Sequence, residues 1–77
     1  MTDIVTMIGA ITSVDIANNK VRIEPPHGKP IFLFVEDEHL PFMCEALSRD
    51  NMIGVEYRLE QIGMRLKAFV VSRVYDI

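Results

Sequence analysis

Over most of this 77-residue chain, apolar and polar residues alternate with the period of two that marks half-buried strands, and one segment switches to a helical period. The first strand-like run spans residues 4–16 and contains Gly9, and a glycine inside a strand marks a bend or bulge. Asn18 and Asn19 form a turn, because asparagine tolerates left-handed backbone. A second run follows at residues 20–24. Residues 25–30, Pro-Pro-His-Gly-Lys-Pro, form a loop, since proline lacks the donor that a ladder needs. The third run is residues 30–36. Over residues 40–49 the spacing lengthens. Leu40, Met43, Cys44 and Leu47 fall at i, i+3, i+4 and i+7, the stripe of a helix, and Pro41 suits its first turn. Arg49, Asp50, Asn51 and Gly54 close that segment, and an irregular loop with one helical turn is the alternative. The fourth run, residues 55–61, alternates Val55, Tyr57 and Leu59 with Glu56, Arg58 and Glu60. Residues 62–64 make a turn. In the fifth run, residues 65–75, the apolar set Leu66, Ala68, Val71 and Val74 slips from a spacing of two to three, which predicts a bulge.

The order is therefore β-β-β-α-β-β in one all-β domain covering residues 1–77. A three-strand meander, a short helix and a closing hairpin predict a five-stranded OB-fold-like Greek-key barrel with the helix between strands three and four. An SH3-like or Tudor-like barrel is the competing arrangement.

Alternation sorts the second and third strands into two faces. Val21, Ile23, Ile31, Leu33 and Val35 point one way and form a core. Lys20, Arg22, Phe32 and Phe34 point the other way, onto a face that meets water. Exposed rings need a reason, and rings beside cations on an open sheet suit single-stranded nucleic acid, whose bases stack and whose phosphates pair. Lys67 lies near the turn between strands four and five, a loop that OB folds use for ligands. Lys20, Arg22, Phe32, Phe34 and Lys67 are thus the candidate binding residues. Arg58, Arg65 and Arg73 also lie on the last two strands, where Glu56 and Glu60 dilute any basic stripe.

Several segments resemble bacterial cold-shock domains. Gly9-Ala10-Ile11 stands where that family has Gly-x-Val, and residues 23–29 resemble its hairpin loop, one residue shorter. Ile31-Phe32-Leu33-Phe34 resembles the family's Val-Phe-Val-His RNA-binding motif. Val55-Glu56-Tyr57 and residues 66–71 resemble its fourth strand and closing strand. The resemblance runs from about Met7 to Val74 and implies an OB fold that stacks bases on Phe32 and Phe34. The chain departs from the family at Thr12-Ser13-Val14, where Lys-Trp-Phe is expected, and at residues 18–22, where Lys-Gly-Phe-Gly-Phe is expected. Lys20 and Arg22 replace rings there. Each lost platform forgoes about 1–3 kcal/mol, so the resemblance implies weak binding.

Composition narrows the setting. A 49% apolar content and mean hydropathy of +0.20 exclude a disordered chain. The net charge of −3 argues against strong generic nucleic-acid binding but leaves room for one locally basic face. The single cysteine, Cys44, forms no internal disulfide, and no residue run resembles a signal peptide or membrane helix, so a cytoplasmic setting is expected. Glu36-Asp37-Glu38 reads as a helix start, or as a docking patch for a basic partner. His27, His39 and Cys44 are too dispersed for a zinc set, and no cofactor is expected. No nucleophile elbow or phosphate loop is present, so an enzyme is not expected. The alternative to nucleic acid is a protein-interaction module, including a homodimer, that uses the Phe face or an uncovered edge strand.

Overall fold

A computed structural model describes residues 4–62, 64 and 66–77. The strands are β1 (Val5–Asp15), β2 (Lys20–Glu24), β3 (Ile31–Phe34), β4 (Met52–Ile62) and β5 (Leu66–Asp76). A single-turn helix (Asp37–His39) runs into α1 (Leu40–Arg49) between β3 and β4. The strands close in the order β1-β2-β3-β5-β4, an OB-like barrel.

Closure depends on β1 serving two neighbours. Its first half pairs with β4, from Val5↔Tyr57 to Ala10↔Met52. Its second half pairs with β2, from Ala10↔Glu24 to Asp15↔Lys20. At the hand-over, the backbones come too close for a side chain. A Cβ on Gly9 would sit 2.8 Å from the Glu24 carbonyl oxygen and 2.9 Å from the Ile23 side chain. The irregularity expected at Gly9 falls instead at Thr12, which is bulged between Ile11 and Ser13. The opposite closure is thin: β3 and β5 run parallel and pair only at Phe34↔Val70.

The fully buried core is aliphatic: Ile11, Val21, Ile23, Leu33, Ile53, Val55 and Val71 from the strands, Val35 directly after β3, and Leu40, Met43 and Ala46 from α1. Val21, Ile23, Leu33 and Val35 point inward as alternation predicts, while Ile31 is half-buried. None of the four phenylalanines is buried.

The helix is a full ten residues rather than a loop with one turn, but its buried face is Leu40, Met43 and Ala46. Leu47 is 40% exposed and Cys44 half-buried, so the expected stripe is rotated. Here α1 lies against β1 and sends only Leu40, Met43 and Ala46, at i, i+3 and i+6, into the core. Gly54 does not close the helix. Asp50 does, in left-handed backbone (φ 56°), with its N–H donating to the carbonyls of Ala46 (3.1 Å) and Leu47 (3.3 Å). Gly54 lies inside β4, which starts at Met52 rather than Val55. It makes room for the ring of Tyr75, its partner on β5.

The predicted β5 bulge is present. Register shifts between Glu56↔Arg73 and Tyr57↔Val71, leaving Ser72 as the extra residue, and its hydroxyl donates to the Glu56 carbonyl at 3.2 Å. Of the 62–64 turn, Met64 is in a turn and Gly63 lies outside the described residues, as does Arg65.

Candidate nucleic-acid interface

The β2–β3 hairpin places the candidate cations and rings directly opposite one another. Lys20 pairs with Phe34 and Arg22 with Phe32. Direct cross-strand partners share a face, so all four side chains lie on the outside of the barrel. Phe32 is 60% exposed, and Phe34 is half-buried. The buried residues of α1 are seated in the core, and Phe32 stays open to solvent.

Where β3 and β5 diverge below their one paired position, the surface opens into a groove of about 310 Å³. Lys20, Phe32 and Phe34 line one wall, and Lys67, Ala68 and Phe69 the other. Four of the five candidate residues are therefore brought together. Arg22 is not among the lining residues. Its Nη1 donates to the Thr12 hydroxyl at 3.0 Å, and that hydroxyl donates to the Arg22 carbonyl at 3.3 Å. The β1 bulge thus draws Arg22 away from the groove, and Glu24 lies 3.8 Å from its guanidinium.

Phe69 is the lining residue that sequence reasoning did not select. It is 42% exposed and meets Tyr57 edge-on, with centroids 5.3 Å apart and planes at 73°. The available signal was parity: Lys67 and Phe69 are two apart on one strand and share a side.

Charge around the groove is unevenly paired. Arg49 pairs with Glu45, Arg58 with Glu60 (2.6 Å), and Arg73 with Glu56 (3.1 Å). Arg73 also lies 5.1 Å from the Tyr75 ring centre. Among the described residues Lys20, Lys29 and Lys67 form no ion pair, and two of these three line the groove. Across β1–β2, Asp15 faces Lys20. Its carboxyl is held below the ordinary value, first by the Asn18 side-chain amide (2.8 Å) and to a smaller extent by Lys20.

The acidic run borders the Phe34 end. Glu36, Asp37 and Glu38 line a hollow beside Phe34 and Asn19. Asp37 and Glu38 occupy the single-turn helix, and Glu36 precedes it with no side-chain cap bond. Asn19 joins this segment to the β1–β2 turn. In left-handed backbone (φ 54°), its side-chain amide donates to the Val35 carbonyl (2.9 Å) and to the Asp37 carboxylate (2.7 Å). His27 is exposed in the β2–β3 loop, and His39 lies 3.6 Å from Glu38. Among the described residues no three His, Cys, Asp or Glu side chains are grouped to hold a metal ion, and no helix is long and apolar enough to cross a membrane.

No family model matches the chain, and no curated sequence is significantly similar to it.

Proposed function

We propose that this OB-like barrel is a weak binder of single-stranded RNA or DNA, non-enzymatic and of divergent cold-shock-like type. The observation that carries the reading is the groove: three phenylalanines and two lysines that form no ion pair among the described residues line one opening, while the fully buried core residues are aliphatic. Bases would stack on Phe32, Phe34 and Phe69, each worth about 1–3 kcal/mol, and Lys20 and Lys67 would meet phosphates. Arg22, tied to Thr12 and close to Glu24, is a supporting charge at the edge. The net charge of −3 and the paired arginines keep the affinity low. A cytoplasmic setting fits the single free Cys44.

Titration of the isotope-labelled chain with a single-stranded oligopyrimidine at low salt tests this. The amide signals of Lys20, Phe32, Phe34, Lys67 and Phe69 should shift together and saturate, with binding that weakens as salt rises. No shift at low salt rules the reading out. Loss of these signals into a protein complex or a dimer, with oligonucleotide inert, assigns the groove to a protein surface instead.

A further inference from the structure

The same groove carries a statement about the length of its ligand, which rests on the nucleic-acid reading above. OB folds that bind single strands cover about 4–16 nucleotides each. This surface offers much less. Register across the barrel runs Asp15–Lys20–Phe34–Val70–Arg58, from β1 through β2, β3 and β5 to β4. The stretch of that row where a lysine lies beside rings runs between β2 and β5, two strand spacings or about 10 Å apart. Its volume of about 310 Å³ is at the lower end of ligand pockets.

Carboxylates border the stretch on three sides, and on the fourth, past Phe32, Arg22 lies 3.8 Å from Glu24. Beyond Lys20 lies Asp15, whose depressed carboxyl keeps its negative charge. Beyond Phe34 lie Glu36, Asp37 and Glu38. Beside Ala68 on β4 lies Glu60, which already engages Arg58. A phosphate placed one step beyond the groove in any of these directions meets like charge, which opposes binding at short range. Lys29 sits in the β2–β3 loop and does not line the groove.

We infer that the groove recognises a short single-stranded segment of about three nucleotides, with the rings of Phe32, Phe34 and Phe69 taking the bases and Lys20 and Lys67 taking two phosphates, and that the acidic rim sets this limit. Two phosphate contacts on a single strand give a slope of about −1.4 in log affinity against log salt.

The test uses the full chain and fluorescent oligothymidylates of about three and six nucleotides, followed by anisotropy at several salt concentrations. The longer oligomer should bind no more than about fourfold tighter, the number of three-nucleotide registers it contains, with a salt slope near −1.4 for both. A larger gain, or a slope steeper than about −2, overturns the short footprint while leaving nucleic-acid binding in place. Absence of binding by either oligomer overturns the parent reading and this one with it. The double variant Glu36→Gln, Glu38→Gln supplies the second arm. With an unchanged melting temperature, it should tighten binding of the longer oligomer at least threefold relative to the shorter, about half a log unit. Equal effects on both lengths refute the acidic rim as the boundary.

Discussion

Replacing Phe32 by alanine separates binding from folding, because the ring is largely outside the barrel. It is 60% exposed, so the covered two-fifths contributes about 0.6–1.2 kcal/mol of the roughly 1.5–3 kcal/mol that full burial of a phenylalanine brings. The cross-strand pair with Arg22 adds about 0.2–1 kcal/mol. The variant should therefore lose about 1–2 kcal/mol of stability. A chain of 77 residues, at about 0.05–0.15 kcal/mol per residue, has about 4–12 kcal/mol in total, so the variant stays folded. Binding should respond differently. Removing one stacking platform costs about 1–3 kcal/mol, a fivefold to 150-fold loss of affinity for a single strand. Urea unfolding gives the first quantity, and anisotropy with a labelled oligopyrimidine at low salt gives the second. Phe32→Trp should keep or improve affinity, since it retains a π face. An affinity change below twofold in a folded Phe32→Ala chain would refute stacking on this ring.

Other perturbations test the scaffold. Gly54→Ala would put a Cβ 2.2 Å from the Tyr75 ring, forcing the ring off β4 and away from Arg73; a loss of about 1–3 kcal/mol in urea unfolding is expected, and unchanged stability refutes the close approach. Met43→Ala removes a fully buried side chain that α1 places in the core and should cost about 2–5 kcal/mol, measurable as a large drop in melting temperature; a loss under about 1 kcal/mol contradicts that packing. Asp15 titrates below its ordinary value in the fold, so the unfolded chain binds that proton more readily. Its stabilising contribution is complete above the ordinary carboxyl value and disappears as pH falls through the depressed one. The stability gap between the wild-type chain and Asp15→Asn should close on acidification, and a gap that is constant with pH contradicts the assignment.

Local pattern carried the strands, the two faces of the β2–β3 hairpin and the bulge in β5, because each follows from a period of two and its interruption. Long-range geometry did not. Gly54 looked like a helix terminator because glycine serves both ends of helices and crowded strand positions, and the ring that requires it is Tyr75, remote in sequence. The helix stripe differs from the expected one because Ala46 reads as neutral, yet it is buried in the core while Leu47 stays 40% exposed. Phe69 was missed because only the parallel β3–β5 seam brings it to the same groove as Phe32 and Phe34. Arg22 was placed on the correct face, but its direction is set by the Thr12 bulge, which leaves no mark in the alternation of β1.

The distribution of rings also separates two accounts of the groove. If the phenylalanines served only stability, the cheapest arrangement would put them inside, where each returns about 1.5–3 kcal/mol. Phe32 at 60% and Phe69 at 42% exposure together forgo about 1.5–3 kcal/mol of that gain. Against a total of about 4–12 kcal/mol, this is a large concession for a small barrel. Among the described residues the fully buried side chains are those of Val, Ile, Leu, Met and Ala, so Phe32 and Phe69 are not needed to fill the interior. The exposed rings converge on one groove instead of scattering, and the lysines beside them lack ion pairs while the neighbouring arginines have them. A purely apolar partner would explain the rings and leave the lysines without a role. A ligand that is flat, apolar on its faces and negatively charged along its backbone accounts for both.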